Sequence, residues 1–261
     1  MNSIKNKIST KLNKFLKKNP RIGNLFATLM GAVEVTFLEI LNFISNHIFP
    51  NFKIIVLRKL QGLWGGRVVP LNINIPVETK YLPHQEILNI ISRSHVFTIG
   101  YCYCRKKHHN CDNPIYTCIG LGVPPGQTLY TIDSKKEFFK EVSKEEIIQL
   151  LNDCDDRGLV HQLIYFPDPN FYYVICNCCT CCCETLNNYK KFLSPEIIKS
   201  DFIEITDNKK CINCGTCINI CPFDARKYDS NNKLVVNRER CFGCGICIRK
   251  CPESAIKLIK K

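Results

Sequence analysis

The sequence lacks the glycine-rich loops with which many proteins bind nucleotides. It contains neither a G-x-x-x-x-G-K-S/T phosphate loop nor a G-x-G-x-x-G dinucleotide fingerprint. Both loops hold phosphate groups through backbone N–H donors. No nucleotide, flavin or nicotinamide site is therefore predicted.

A long uninterrupted apolar run is also missing. Residues 25–49 approach the length of about 20 residues that a transmembrane helix needs, but Glu34 and Glu39 lie inside them. Each carboxylate costs about 2.5–3.5 kcal/mol at the bilayer centre, which disfavours a span. No cleavage-site pattern follows the stretch, so a secretory signal is not predicted.

The same stretch has the periodicity of an amphipathic helix that ends before Pro50. A leader with seven bases and no acid in its first 21 residues precedes it. The helix packs either on the protein's own core or, with residues 1–50 as a whole, on an anionic membrane surface. Its apolar face consists of Phe26, Leu29, Val33, Phe37, Ile40, Leu41 and Ile44.

Cysteine is in excess, with 19 in a chain of 261 residues. Many are close neighbours, as in residues 176–183. Such clusters are typical of metal centres, whereas disulfide scaffolds are usually short and secreted. We therefore expect metal-bound thiolates in the cytoplasm or on the cytoplasmic face of a membrane.

The formal net charge of +13 suits nucleic acid, anionic lipid or an acidic redox partner, and charge alone does not choose among them. Metal–thiolate centres would offset part of it, since four thiolates around a cluster leave a net anion. Nucleic acid is disfavoured because no helix presents Arg, Asn or Gln on one face. The residues expected to dock an acidic redox partner include Arg226, Lys227, Arg249 and Lys250.

Two tandem cysteine runs near the C-terminus carry the most specific signal. Each has the spacing C-x2-C-x2-C-x3-C followed by proline. In such runs three cysteines bind one iron–sulfur cluster and the fourth binds the other, so two 4Fe–4S clusters are predicted. The expected ligands are Cys211, Cys214, Cys217 and Cys251 for cluster 1, and Cys241, Cys244, Cys247 and Cys221 for cluster 2.

Residues 203–261 resemble the bacterial-type ferredoxins with two 4Fe–4S clusters. The two halves align at an offset of 30 residues, with Pro222 matching Pro252 and Ala225 matching Ala255. The duplication predicts a pseudo-two-fold fold, and the resemblance implies one-electron transfer. The side chains expected to exclude water from the clusters are Ile212, Ile218, Phe223, Phe242, Ile246 and Ile248.

Upstream, strands are predicted over residues 96–103, 159–166 and 172–175, with a basic loop after the first. Ser143 and Glu146 form a capping box for a helix that contains Cys154, which is expected to be a small buried hydrophobe. The candidate ligands of a third centre are Cys102, Cys104, Cys111, Cys118, Cys176, Cys178, Cys179, Cys181, Cys182 and Cys183.

These ten thiols suffice for one cluster with spares or for two clusters. Cys178 and Cys179 point to opposite sides of an extended chain, so we expect the thiols not to share one metal. A third iron–sulfur cluster is favoured; a zinc site and free or redox-active thiols are the alternatives. His108 and His109 are expected in solvent rather than on the metal.

Residues 80–185 resemble uncharacterised iron–sulfur proteins with three short elements ahead of a ferredoxin domain. These are C-x-C-R at residues 102–105, G-L-V-H at residues 158–161 and C-N-C-C-x-C-C-C at residues 176–183. The resemblance implies a shared metal-bearing domain without a known reaction.

The sequence thus predicts an α+β protein in three parts. A basic leader and amphipathic helical segment occupy residues 1–66, a mixed α/β cysteine-rich domain residues 67–200, and a ferredoxin domain residues 203–261. Electron transfer with a redox partner protein is the favoured function, as an electron carrier or redox subunit rather than a stand-alone enzyme. The alternatives are a reductase or redox activator with chemistry at the middle centre, and a metal-stabilised nucleic-acid-binding protein.

Overall fold

The computed structural model describes residues 65–68, 87–93, 97–121, 139–165, 172–192 and 198–261, and single positions between residues 15 and 59. These ranges contain both helices and strands, so the predicted α+β class is confirmed at that level. The helices are α1 (Ile87–Arg93), α2 (Tyr103–His108), α3 (Lys144–Asp156), α4 (Glu184–Phe192), α5 (Thr216–Asn219) and α6 (Ile246–Arg249).

The strands form one seven-stranded sheet and two two-stranded sheets. The order in the large sheet is β4-β2-β3-β6-β5-β1-β7, and all neighbours are antiparallel except β1 and β7. The strands are β1 (Gly65–Val68), β2 (Phe97–Tyr101), β3 (Tyr116–Leu121), β4 (Phe139–Val142), β5 (Val160–Tyr165), β6 (Tyr172–Cys178), β7 (Ile198–Lys199), β8 (Phe202–Thr206), β9 (Arg226–Tyr228), β10 (Leu234–Val236) and β11 (Ile256–Lys260).

Helix α3 begins with the predicted capping box. The backbone N–H of Glu146 donates to Ser143 Oγ (3.1 Å), and the backbone N–H of Ser143 donates to a Glu146 carboxylate oxygen (2.8 Å). The helix ends before Gly158, which has φ +72°. Cys154 is buried on this helix, as predicted. Local sequence alone thus defines both ends of α3.

One face of the large sheet packs on α1 and α3. Ile119, Leu163 and Ile175 of three adjacent strands meet Ile147 and Leu151 of α3, and all five are inaccessible to solvent. Burying an aliphatic side chain of this size contributes about 1.5–3 kcal/mol. This apolar layer anchors the sheet and leaves its opposite face to carry chemistry.

The opposite face of the sheet packs on the C-terminal domain. Val160 and Cys178 share one buried cluster with Phe223, Phe242 and Ile246. Tyr189 of α4 stacks edge-on against both phenylalanines. The two cysteine-rich regions therefore meet across a packed apolar interface.

The basic segment after β2 differs from the prediction. Residues expected in a solvated loop form α2, and Arg105 within it is 1% exposed. The helix starts after Cys102 and ends at His109, which adopts a left-handed conformation. The buried guanidinium of Arg105 donates to backbone carbonyls, which holds the turn in place. A basic sequence does not show these partners, because they come from other segments of the chain.

The C-terminal domain repeats its elements at the same offset as its cysteines. Helices α5 and α6 start 30 residues apart. Strand β8 precedes the first cysteine run but pairs with β11 after the second, and β10 between the runs pairs with β9. Each of the two small sheets therefore contains one strand from each half of the domain.

Only a short linker joins the large sheet to this domain. Ser200 and Asp201 separate β7 from β8. Asp201 pairs with Arg67 of β1 at 3.6 Å, and its carbonyl oxygen accepts from the Lys261 backbone N–H (2.8 Å). The linker is therefore tied to strands on both sides.

The predicted basic leader lies outside the described residues, apart from single positions. In the predicted amphipathic helix, Leu41 is buried and Phe37 packs on the same apolar cluster as the interface above. Ile40, expected on the same apolar face, is 53% exposed. Among the described residues, no helix is long and apolar enough to cross a bilayer.

Candidate metal centres

A surface pocket gathers cysteines from both C-terminal runs. Cys211, Cys214 and Cys217 line it together with Cys251, which lies in the second run. Cys214 is exposed, so this group of thiols opens towards solvent.

The other four cysteines of the runs form a more enclosed group. Burial is the largest cause that raises the pKa values of Cys241 and Cys244 and raises that of Cys247 to about 12, and the neighbouring Cys221 raises all three further. Phe223, Phe242 and Ile246 cover this side of the domain and are each 2% exposed. Ile212, expected to exclude water, is 61% exposed, which contradicts that expectation.

Arg226 lies between the two groups. It donates to Cys217 Sγ (3.6 Å) and to Cys247 Sγ (3.5 Å), one thiol from each run. It also pairs with Glu204 at 2.7 Å, and both charged side chains are buried. Burial opposes its charge, but Cys247, Glu204 and Cys217 outweigh burial and raise its pKa. The expectation that Arg226 docks a partner is wrong, because its guanidinium is turned inward.

Four thiols of the middle domain converge on one point. Cys111, Cys179, Cys181 and Cys182 have all their sulfur atoms within 4.8 Å of one another. Adjacent sulfur–sulfur distances are 3.6, 3.8 and 3.9 Å. We call this group site A. Burial raises the pKa of Cys111, but hydrogen bonds from Asn113 and neighbouring thiols outweigh it and lower the value to about 6.

The remaining six of the ten candidate thiols form a second group, site B. Neighbouring members of this group shift one another's pKa values in the order Cys102, Cys118, Cys176, Cys178, Cys183, Cys104. Hydrogen bonds from their neighbours lower the pKa values of Cys118 and Cys183 well below the usual range. The ten candidate ligands thus divide into four and six, with Cys178 and Cys179 in different groups.

Arg105 lies between sites A and B. Its guanidinium donates to the carbonyl oxygens of Pro114 and Asn177, to Thr117 Oγ1 (3.0 Å) and to Cys179 Sγ (3.7 Å) of site A. No carboxylate bonds to it among the residues that the structure describes. Burial opposes its charge, and the neighbouring cysteines Cys102, Cys179 and Cys178 raise its pKa. This buried cation therefore faces carbonyl oxygens, a hydroxyl group and cysteines.

A buried polar chain connects the middle domain to α6. Arg249 of α6 pairs with Asp155, whose other oxygen lies 3.5 Å from His161 Nε2. His161 Nδ1 contacts Asn177 Oδ1 at 2.6 Å, and the Asn177 side chain donates to the Thr117 carbonyl. The sequence analysis did not predict this series of polar contacts. The signal that could have indicated it is the presence of His161 and Asn177 within predicted strands.

Neither histidine of the segment after β2 belongs to site A. His108 Nε2 pairs with Glu184 at 2.8 Å, and His109 is exposed. Lys250, expected to dock a partner, pairs with Asp156 at 3.1 Å, while Lys227 is exposed.

A family model described as a 4Fe-4S dicluster domain matches residues 204–258. The match begins within β8 and ends within β11, so it covers both cysteine runs. No curated protein matches the chain. The family match supports an iron–sulfur, metal-binding domain of the ferredoxin kind in the C-terminal part of the chain and suggests a role in electron transfer.

Proposed function

We propose that this chain is an electron-transfer protein with two 4Fe–4S clusters in its C-terminal domain and further metal in its middle domain. The observation that carries the proposal is the pocket in which Cys251 joins Cys211, Cys214 and Cys217. That grouping matches the rule by which the fourth cysteine of one run binds the cluster of the other run.

The donor sets fit the clusters. The ligands of cluster 1 are the four cysteines of the pocket, and those of cluster 2 are Cys241, Cys244, Cys247 and Cys221. When bound, each cluster supplies one-electron oxidation and reduction. The backbone N–H groups of Ala225 and Ala255 donate to Cys221 Sγ (3.4 Å) and Cys251 Sγ (3.3 Å). Such donors stabilise the more negative reduced state.

Arg226 has a distinct part in this arrangement. Its positive charge touches one ligand of each cluster, so it favours reduction of both. Glu204 fixes the guanidinium plane through a buried contact and keeps the net charge between the clusters near zero. The matched positions of the helices, strands and N–H donors in the two halves support the pseudo-two-fold arrangement of this domain.

The two cluster sites differ in exposure, which assigns them different roles. Cluster 1 lies beside exposed Cys214 and Ile212, and exposed Lys209 and Lys210 precede it. An acidic redox partner therefore docks at this end. Cluster 2 lies under Phe223 and Phe242 on the side that faces the middle domain.

Site A holds a single tetrahedral metal ion. A zinc–sulfur bond of about 2.3 Å in a tetrahedron places ligand sulfur atoms about 3.8 Å apart, which agrees with the distances of 3.6, 3.8 and 3.9 Å in site A. A cubane separates its ligands further, because irons and sulfides lie between them. Zinc is therefore favoured over a third cubane at this site, and the metal fastens the loop after β6 to the segment that contains Cys111.

Residues 1–50 make peripheral contact with a membrane on its cytoplasmic face. Support comes from the basic leader and from Phe43, Ile48 and Phe49, each more than half exposed. Retention of the full-length chain on anionic vesicles, reversed by salt, tests the contact. A chain that stays in the supernatant at low salt would count against it.

The ligand assignment is tested with Cys251→Ser and Cys247→Ser. Spectra of the anaerobically purified proteins should show that Cys251→Ser perturbs the same cluster signal as Cys214→Ser, whereas Cys247→Ser perturbs the other one. Cys154→Ser is the matched control and should perturb neither. If Cys251→Ser and Cys247→Ser perturb one common signal, the assignment is wrong. If no low-potential signal appears on reduction of the native chain, the electron-transfer function is refuted.

Site A is tested by metal analysis of Cys111→Ser. We expect the loss of about one metal ion per chain and of no acid-labile sulfide. Loss of sulfide together with iron would show that a cluster occupies the site.

A further inference from the structure

We propose that the six cysteines of site B bind a polynuclear iron–sulfur cluster that is separate from site A and from both clusters of the C-terminal domain. This goes beyond the function proposed above, in which the middle domain needs only the single metal of site A. The geometry of the sheet carries the argument.

Strand register brings the first members of site B together. Ile119 of β3 pairs with Ile175 of β6, so Cys118 and Cys176 lie at the next opposed positions on the other face. Gln162 of β5 pairs with Cys176 on the far side. Cys178 follows two residues later on the same face. Two adjacent strands therefore present three thiols to one side of the sheet.

The other three thiols come from the segments that flank these strands. Cys102 follows β2 and its backbone N–H donates to Ile115 (2.6 Å), which holds it beside β3. Cys104 lies in the first turn of α2. Cys183 precedes α4, and its sulfur accepts from Gln162 Nε2 at 3.6 Å. Three segments distant in sequence, 102–104, 118 and 176–183, thus converge on one patch of the sheet.

The spacing of the thiols separates site B from site A. Among the described residues, site A is the one group in which three or more metal-binding side chains have all their ligand atoms within 4.8 Å of one another. The cysteines of the C-terminal runs do not meet that limit, and they match a dicluster family. Site B shares their wider spacing, which suits a cluster rather than a single ion.

Polar donors are also available at site B, and Cys118 and Cys176 are only partly buried. Thr185 Oγ1 lies 3.1 Å from Cys183 Sγ, in addition to the Gln162 donor. The positive charge of Arg105 compensates an anionic centre nearby.

Site B lies on the path between the domains. Cys178 and Cys183 belong to the same apolar cluster as Phe242, and Cys221 and Cys244 pack against that cluster. Both of the latter are ligands expected for cluster 2. A cluster in site B would therefore continue the row of redox centres from the surface, through cluster 2, into the middle domain.

Iron and sulfide counts on the full-length chain test the proposal. After anaerobic purification and reconstitution with iron and sulfide, we expect at least about twelve irons per chain, of which about eight belong to the C-terminal domain. The variant Cys118→Ser/Cys176→Ser should lose about four irons and four sulfides. Cys154→Ser, which removes a buried thiol outside both sites, should lose none.

The EPR signals of the C-terminal clusters report whether the double variant is folded. If they persist while iron and sulfide fall, the proposal stands. About eight irons in the native chain with both signals present would refute site B and leave the electron-transfer function intact. Zinc in place of the additional iron, or a double variant with undiminished iron, would also refute it.

A second variant avoids the loss of a ligand. Gln162→Leu removes the N–H donor to Cys183, and we expect it to lower the midpoint potential of one signal beyond the two of the C-terminal domain. Gln149→Leu, at an exposed position of α3, should leave every potential unchanged. A Gln162→Leu protein with no third signal, or with an unshifted one, would overturn the assignment.

Discussion

Replacing Gly243 by alanine tests how closely the strand-swapped domain is packed at cluster 2. Gly243 lies between Cys241 and Cys244 with φ +74°. A Cβ atom there would lie 2.0 Å from the carbonyl oxygen of Phe202, a distance that real Cβ atoms essentially never show. Because that oxygen belongs to the backbone of β8, no side-chain rotation relieves the overlap.

Gly158→Ala is the matched control. Gly158 has nearly the same φ, +72°, but the nearest atom to its added Cβ would be the side-chain Ile220 Cγ1 at 3.4 Å, an ordinary van der Waals distance. The control should therefore bear only the backbone strain of a left-handed alanine, about 1–2 kcal/mol. Gly243→Ala bears the same strain and also displaces β8, so we expect a loss of more than about 4 kcal/mol, with cluster 2 poorly assembled.

The assay is the half-life of iron–sulfur absorbance in guanidinium chloride under anaerobic conditions, because loss of the cluster makes unfolding irreversible. A cost of about 1–2 kcal/mol shortens the half-life at most about 5- to 30-fold. The Gly243→Ala protein should lose most of its absorbance before the control does, or fail to retain iron during purification. Equal half-lives for the two variants would refute the close approach of Phe202.

Three further perturbations follow from the charged contacts. Arg226→Lys should lower the midpoint potentials of both proposed C-terminal clusters in an EPR-monitored titration, because one amine cannot reach both Cys217 and Cys247. Lys227→Gln is the control. Unchanged potentials in Arg226→Lys would contradict the role of Arg226. In a double-mutant cycle of unfolding, Asp155→Asn and Arg249→Gln should show a coupling energy of about 0.5–3 kcal/mol. The control pair Asp156 and Lys250, which is more exposed, should show at most about 1 kcal/mol. Independent effects of the two substitutions at Asp155 and Arg249 would exclude the interdomain contact. Arg105→Gln should lower the free energy of unfolding by about 3 kcal/mol or more, because the carbonyl oxygens and cysteines around it lose their buried cation. Lys106→Gln, at an exposed position, should change stability little. Similar stabilities of the two variants would refute the stabilising role of the buried Arg105 guanidinium.

The features that depend only on residues close in sequence could be predicted from the sequence. The capping box of Ser143 and Glu146 needs only residues three apart, and the structure confirms it. The two cysteine runs are equally local, and the family match supports an iron–sulfur domain there.

The division of the middle cysteines depends instead on distant segments. Cys111 meets Cys179 across 68 residues, and Cys118 meets Cys176 through strand register. The alternation of side chains along a strand predicts that Cys178 and Cys179 separate, but not which partners each finds. Arg105 was unpredictable for the same reason, because its partners Thr117 and Asn177 come from other strands.

The linker between β7 and β8 constrains the electron-transfer function proposed above. Two residues cannot act as a flexible arm, and the Arg67–Asp201 contact and the parallel pairing of β7 with β1 hold them on both sides. The C-terminal domain therefore cannot swing away from the large sheet as a tethered shuttle would. In the proposed function, electrons travel along a fixed course, and the partner comes to the exposed end of the molecule at Cys214.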